Sequence, residues 1–136
     1  MNKISDHISY DEATLSPTAM RLKIDNTPDE AQYTAMIMVA NQCFEPLRKW
    51  YGKPIKINSF FRCDKLNKAV KGAKGSHHVL GSAIDLTAGS KEENEKLFEW
   101  CKANLKYTQL INEYDFSWIH ISYIPDNLKQ QTLAIV

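Results

Sequence analysis

The stretch GSHHVLGSAIDL, residues 75–86, places a single aspartate inside an apolar run. Asp85 lies between Ile84 and Leu86, seven residues after His78. If this run is a strand, alternation puts Asp85 on the face opposite to its two apolar neighbours. A buried carboxylate is unfavourable unless a partner stabilises it, because burial penalises the charged form. A metal ion is one such partner, so a further ligand is expected elsewhere in the chain.

The segment SWIHISYI, residues 117–124, contains that candidate ligand. Its alternation puts His120 and Trp118 on one face and the isoleucines on the other. His78, Asp85 and His120 would provide two imidazoles and a carboxylate and leave a fourth position for water, which is the composition of a catalytic zinc site. On these residues alone, a core role for the histidine and a turn or lysine partner for the aspartate stay open.

The composition is that of an ordinary globular protein and excludes several partners. The chain has 136 residues, a net charge of +1 and 24% charged residues, so bulk charge does not favour nucleic-acid binding. No apolar run approaches the roughly 20 residues of a membrane helix, and the N-terminus lacks the apolar core of a signal peptide. We expect one domain over residues 1–136, a monomer that is made in the cytoplasm and has no membrane span.

The three cysteines are predicted to be reduced. Cys43, Cys63 and Cys101 lie far apart and form no CxxC pair, which in an unsecreted chain favours free thiols. Cys43 and Cys101 fall on apolar faces of predicted helices, where cysteine packs as a small hydrophobic residue.

Helix start and stop signals predict two helices in the first part of the chain. Ser16 is the expected N-cap of a short helix. Thr27 and Glu30 have the spacing of a capping box for a long helix, which should end at Gly52. Pro46 lies inside this long helix and is expected to bend it, because proline removes a backbone donor.

The rest of the chain alternates predicted strands with two shorter helices. One helix is expected near residues 63–72, and another from Ser90, which has a capping-box partner in Glu93, to about Leu105. The predicted strands are residues 53–62, 82–88, 107–114 and 117–124. The last two strands have no helix between them and are predicted to form a hairpin, which favours an α+β fold with an antiparallel sheet and flanking helices.

Three motifs occur in the order found in one known family. SFFRCDKLN matches S-x-x-R-x-x-x-x-N at Ser59, Arg62 and Asn67, SHHVLGSAID matches S-x-H-x-x-G-x-A-x-D, and WIHIS carries the last histidine. Together they cover about residues 54–123 and resemble the zinc D-alanyl-D-alanine carboxypeptidases and their phage endolysin relatives. That resemblance implies the α+β fold shared with hedgehog domains.

The resemblance also implies a chemistry and a set of roles. A zinc ion (Zn2+) would bind at the three predicted ligands, and the substrate would be a peptidoglycan stem peptide. Arg62 would steady a substrate carboxylate or carbonyl oxygen, since its guanidinium is planar and always charged. Ser76 would orient the ligand loop, and Trp118 with Phe61 would wall the substrate cleft. A phage enzyme of this kind reaches the cell wall during lysis or on a virion.

The general base is where the sequence departs from the family pattern. Several relatives carry an acidic residue three positions before the last histidine, and here that residue is Ser117. If EYDFSW is a hairpin turn that pairs Glu113 with Trp118, Glu113 lies on the face of His120, whereas a one-residue slip would turn it away. We predict Glu113 as the base and place Asp115 in the turn.

Two other function classes stay open. A non-catalytic zinc-binding interaction module is one, because hedgehog-type domains show that this fold need not hydrolyse peptides. A metal-dependent nuclease is the other, although only the local stretch of residues 59–78 is basic.

The two remaining histidines are not predicted as ligands. His77 is expected to point away from the metal, and His7 is expected at the surface.

Overall fold

The computed structural model describes residues 3–136, in which helices pack on one face of a five-stranded sheet. A π-helical segment, Ala40–Phe44, interrupts the long helix. The other elements, in chain order, are β1 (Lys3–Ser5), β2 (Ile8–Ser9), α1 (Tyr10–Thr14), α2 (Pro17–Leu22), α3 (Glu30–Val39), α4 (Glu45–Tyr51), β3 (Lys56–Ser59), α5 (Asp64–Ala69), β4 (Ala83–Thr87), α6 (Lys91–Asn104), β5 (Gln109–Glu113), β6 (Trp118–Ser122) and β7 (Gln131–Ile135).

The strand order in the main sheet is β3-β4-β6-β5-β7. The first four strands pair antiparallel, as predicted, and β5 and β6 form the expected hairpin. The edge strand β7 pairs in parallel with β5 and was not predicted. Its residues are mostly exposed and give no apolar alternation, so the sequence carries little strand signal there. The α+β class is confirmed, with a mixed sheet in place of a wholly antiparallel one.

The two faces of the sheet have different chemistry. Ile84 and Leu86 on β4 are fully buried and face the helices together with Ile119 and Ile121 on β6. Asp85 alternates with these residues and therefore points to the opposite face. The sheet thus has one apolar face that forms the core and one face that carries polar side chains.

The predicted helix starts are confirmed at two positions and wrong at one. Ser16 and Ser90 cap α2 and α6 as expected. The long helix does not use Thr27 and Glu30. Its N-cap is Asp29, whose carboxylate accepts from Gln32 N at 2.8 Å while Gln32 Oε1 accepts from Asp29 N at 2.8 Å. The reciprocal bonds satisfy two free donors, so the helix begins two residues later than a Thr27 N-cap would start it.

The long helix changes its hydrogen-bond pattern just before Pro46. The π-helical segment precedes this proline, and Glu45 N donates to the Ala40 carbonyl five residues back. The wider turn accommodates a residue that lacks a backbone N–H and crowds the preceding turn. The helix ends as predicted at Gly52, which adopts a left-handed conformation with φ of 73°.

The N-terminal hairpin is tied to the long helix through Glu45. Ser5 Oγ donates to the Glu45 carboxylate at 2.6 Å and His7 N donates at 2.9 Å. His7 Nδ1 lies 2.6 Å from the same carboxylate, and its side chain is 48% exposed, as expected for a surface residue. Burial opposes ionisation of Glu45, but these hydrogen bonds outweigh it and lower the pKa of the carboxyl.

Two of the three cysteines are buried in the core. Cys43 and Cys101 are fully buried, Cys63 is half-buried, and all three are free thiols as predicted. Burial raises the pKa of the Cys43 thiol to about 12, so this residue acts as a packed apolar group. Cys63 has a local role, because its sulfur accepts from Leu66 N at the start of α5.

Gly81 → Ala is expected to destabilise the fold strongly. Gly81 has a φ of 78°, and a Cβ atom there would lie well inside contact distance of the Gln32 carbonyl oxygen at the start of α3. Backbone strain of this kind costs about 1–3 kcal/mol, and the contact with backbone adds to it. Urea unfolding of the variant measures the loss of unfolding free energy.

Gly75 → Ala is the matched control for this measurement. Gly75 has the same φ of 78° but nothing within 4 Å of the position of an added Cβ. The smaller loss expected at Gly75 isolates the effect of close packing at Gly81. Equal losses of unfolding free energy for the two variants would show that the close contact with the Gln32 carbonyl oxygen does not add to the strain at Gly81.

Candidate metal centre

His78, Asp85 and His120 come together on the polar face of the sheet. Asp85 on β4 lies directly opposite His120 on β6, and the turn before β4 brings in His78. The three ligand atoms lie within 4.8 Å of one another, and all three residues are buried. Asp85 Oδ1 is 2.8 Å from His120 Nδ1, and Asp85 Oδ2 is 3.2 Å from His78 Nε2. The sequence-predicted ligands therefore form one cluster.

The orientation of His78 leaves one ring nitrogen free for a metal ion. His78 Nδ1 lies 2.7 Å from the Phe60 carbonyl oxygen and donates to it. This bond fixes the tautomer so that Nε2 carries a lone pair. His78 Nε2 is buried and has no hydrogen-bond partner within residues 3–136, although it faces the Asp85 carboxylate. Two acceptors in such close contact fit a cation bound between them.

The turn that carries His78 is held by its own hydrogen bonds. Ser76 Oγ accepts from His78 N at 3.2 Å, which is the contact expected of a residue that orients the loop. Arg62 N donates to the His78 carbonyl oxygen at 3.3 Å. The backbone of His78 is thereby connected to the segment that follows β3.

Asp85 is ionised despite its burial. Desolvation favours the neutral acid, but the hydrogen bond from His120 outweighs it and holds the pKa of Asp85 well below its usual range. Arg62 adds a further positive charge, with its guanidinium 3.7 Å from Asp85 Oδ2. A charged carboxylate at this position is the form that binds a metal ion.

The three residues of the S-x-x-R-x-x-x-x-N motif form one hydrogen-bonded unit around Arg62. Arg62 Nε donates to Ser59 Oγ at 3.2 Å, and its terminal nitrogen donates to Asn67 Oδ1 at 2.9 Å. Gly72 packs against this pair so closely that a side chain there would collide with both Asn67 and Arg62. The motif spacing therefore orients the guanidinium beside Asp85.

Glu113 lies beside the three ligands, in the register that the sequence predicted. Glu113 pairs with Trp118 across the β5–β6 hairpin, and its Oε2 atom is 3.8 Å from His120 Nδ1. Trp118 Nε1 donates to the same oxygen at 3.1 Å. Burial and the nearby charge of Asp85 raise the pKa of Glu113. Their effect is larger than the opposing effects of His120 and Trp118, which lower it.

The turn that presents Glu113 has an unusual backbone. Tyr114, Asp115 and Phe116 are all left-handed, with φ between 52° and 60°, a conformation that is unfavourable for residues other than glycine. Asn94 on α6 donates to the Phe116 carbonyl oxygen at 2.9 Å. Asp115 is exposed and pairs with Lys91 at 2.8 Å, so it belongs to the turn as predicted. The sequence shows no glycine that would reveal this geometry.

His77 lies next to the cluster without belonging to it. Its Nδ1 atom is 3.0 Å from Ser122 Oγ, and it is not part of the group whose ligand atoms converge. Burial, together with His120 and Lys129, lowers the pKa of His77. Its predicted exclusion from the ligand set agrees with this geometry.

Asn26, which the sequence analysis did not single out, binds the backbone on both sides of Arg62. Asn26 Nδ2 donates to the Phe61 carbonyl oxygen at 3.0 Å, and Asn26 Oδ1 accepts from Cys63 N at 2.7 Å. The amide also donates to the Thr14 carbonyl oxygen at 3.0 Å. The local sequence IDNTP reads only as a loop, because these partners are distant along the chain. Only the folded structure brings these partners to Asn26.

Asn26 → Ala is expected to lower the unfolding free energy by about 2 kcal/mol, because it leaves several partly buried backbone groups without partners. Asn41 → Ala is the control, since Asn41 makes one exposed bond to the Ile37 carbonyl oxygen and should change stability little. Urea unfolding of both variants checks the difference. Equal stability of the two variants would contradict a bridging role for Asn26.

A cavity of about 430 Å³ opens beside the cluster. Phe61 and Trp118 line it together with Arg62, Asp85 and Glu113. Phe61 is also almost fully buried, so it belongs to both the core and the cavity wall. Of the three predicted ligands, Asp85 lines this cavity, whose volume is that of common ligand pockets.

Two histidines and an aspartate that converge beside a carboxylate and a cavity are the arrangement of a metal-dependent hydrolase. The family model described as Peptidase M15 matches residues 6–122, and the chain belongs to this metal-dependent peptidase family. The predicted resemblance to zinc carboxypeptidases of this family is confirmed. A comparison with curated proteins gave no match. Within residues 3–136, no helix is long and apolar enough to cross a membrane.

Proposed function

We propose that this protein is a zinc peptidase that hydrolyses peptidoglycan stem peptides. The observation that carries the proposal is the buried cluster of His78, Asp85 and His120, whose ligand atoms lie within 4.8 Å of one another. Membership of the peptidase family supports peptide hydrolysis. The substrate class follows from the resemblance of the sequence motifs.

The three proposed ligands fit zinc by their chemistry. Two imidazoles and one carboxylate, with the lone pair of His78 Nε2 free of other partners, form the set that catalytic zinc sites use. Bound there, zinc supplies a Lewis acid that polarises a peptide carbonyl and lowers the pKa of water.

Glu113 is the proposed general base. Its carboxylate lies 3.8 Å from His120 Nδ1 and accepts a hydrogen bond from Trp118, which fixes its orientation. Glu113 takes a proton from the attacking water and returns it to the amine nitrogen when the C–N bond breaks. The products are one peptide with a new carboxylate and one with a new amine.

Arg62 is proposed to bind the carbonyl oxygen or a carboxylate of the substrate. Ser59 and Asn67 hold its guanidinium in place, so little ordering is needed when a substrate arrives. Ser76 positions His78 through the loop backbone, and Trp118 lines the cavity next to the base. The protein would act as a monomer and reach the cell wall when a phage lyses its host or on a virion.

Incubation of the zinc-loaded protein with purified muropeptides tests the proposal. New amino groups, detected by a fluorogenic amine reagent and by mass spectrometry, are the expected result, and a chelator should abolish them. If the protein binds one zinc ion per chain yet releases no new amine, hydrolysis of these peptides is excluded. That outcome would favour the alternative function, a non-catalytic zinc-binding interaction module.

A further inference from the structure

Two cavities adjoin at Asp85 and Glu113, which line both of them. Their volumes are about 430 and 460 Å³, and each lies in the range of about 300–1,000 Å³ that is typical of ligand pockets. The residues common to both are Arg62, Gly72, Asp85, Glu113 and Tyr114. We call the two cavities together the groove. Asp85 and the proposed base Glu113 thus lie where the two cavities join, whereas His78 and His120 line the second cavity.

The first cavity has both apolar and polar walls and carries no lysine among its lining residues in the described part of the chain. Leu15 and Pro17 line it together with Phe61 and Trp118. Among the described residues that line this cavity, Arg62 is the only Lys or Arg, and its guanidinium lies at the junction, bonded to the motif side chains and 3.7 Å from Asp85. The outer part of this cavity therefore offers no fixed cation for a terminal carboxylate.

The second cavity contains the three predicted ligands and a lysine. Lys71, His77 and Gln109 line it, with Ile135 of β7 at its side. The matched region of the family ends at residue 122, so β7 adds a wall that lies outside that region. Lys71 gives this half of the groove the chemistry to bind a carboxylate.

We propose that a peptide substrate occupies both cavities and passes the shared residues Asp85 and Glu113, so that the enzyme cleaves an internal amide bond. An uncharged part of the peptide occupies the first cavity, and a carboxylate-bearing part occupies the second cavity beside Lys71. This inference rests on the proposed peptidase function and specifies the position of the bond. Removal of a single terminal residue would leave one of the two cavities without a role.

Mass spectrometry of muropeptide digests tests the position of the bond. The expected products are fragments that retain at least two amino-acid residues on each side of the cut. Release of free D-alanine as the only product would overturn this inference and leave the proposed peptidase function standing. The same digest therefore separates the two claims.

Binding measurements test the groove without turnover. The zinc-loaded Glu113 → Gln variant is titrated with a synthetic stem pentapeptide and with each of its two halves, by isothermal calorimetry. Each half is expected to bind roughly tenfold more weakly or worse, because one cavity stays empty. Equal binding of the pentapeptide and one half would contradict occupation of both cavities. Tight binding of the pentapeptide without hydrolysis by the wild type would overturn the proposed hydrolysis, and with it the cleavage, but would leave occupation of both cavities standing.

Lys71 → Met tests the carboxylate contact and Lys74 → Met is the control. Lys74 lies on the same loop but lines a different cavity. The Lys71 variant is expected to bind the pentapeptide roughly tenfold more weakly, as for the loss of a charged hydrogen bond, whereas the Lys74 variant should bind it as the wild type does. Amidation of the C-terminal carboxylate, compared with amidation of the side-chain carboxylate, shows which group Lys71 binds. Identical affinities for the two lysine variants would remove Lys71 from the site.

Discussion

Replacing His120 with alanine is expected to weaken zinc binding by at least about 100-fold. Changes to the partners of metal ligands alone cost about 10–100-fold in affinity, and this substitution removes one of only three ligands. It also takes away the hydrogen bond that stabilises the ionised form of Asp85. Metal analysis after dialysis against a weak chelator, together with competition titration, measures the effect, and peptidase activity should be lost in parallel.

His7 → Ala is the matched control for this experiment. His7 also contacts a carboxylate, Glu45, at 2.6 Å, but its side chain is 48% exposed and lies outside the metal cluster. This variant should retain the zinc content of the wild type. Zinc binding by His120 → Ala at the level of the control would show that the ion is held elsewhere, and the proposed centre would then be wrong.

Replacing Glu113 with glutamine is expected to reduce turnover by about 10²–10⁴-fold while zinc stays bound. Glutamine has nearly the same shape, and its carbonyl oxygen can still accept from Trp118 Nε1. It cannot take a proton from water at neutral pH. The three ligand residues are unchanged, so the metal content should equal that of the wild type. Single-turnover hydrolysis of muropeptides, with zinc measured on the same sample, checks both expectations.

Asp115 → Asn is the control, because Asp115 is the other carboxylate of the same hairpin turn. Its side chain is exposed and pairs with Lys91, so its loss should leave turnover close to that of the wild type. If Glu113 → Gln hydrolyses substrate normally while Asp115 → Asn does not, the base has been assigned to the wrong side of the turn.

The hairpin shows how far local patterns lead and where they stop. Alternation placed His120 on the polar face of its strand, and the register of the turn placed Glu113 opposite Trp118, as the structure has them. The left-handed conformation of three consecutive residues, with no glycine among them, could not be read from the sequence. It depends on hydrogen bonds from distant elements, such as the one from Asn94.

Helix starts show the same limit at a smaller scale. Two overlapping capping boxes are possible before α3, and both satisfy the spacing rule. Local sequence does not choose between Thr27 and Asp29. The tertiary structure distinguishes them, because the side-chain amide of Gln32 also donates to the carbonyl oxygen of Val79, the residue after His78, at 3.0 Å.

The sequence by itself determined the α+β class, the choice of the three predicted metal ligands and the strand faces of Asp85 and His120, because alternation and motif spacing are local properties of the chain. Only the tertiary structure decided what surrounds them. The hydrogen bonds of Asn26, the parallel edge strand β7 and the second cavity all depend on contacts between segments far apart in the chain. Such contacts leave no periodic trace in the sequence, since they are chosen by packing and by the need to pair backbone polar groups.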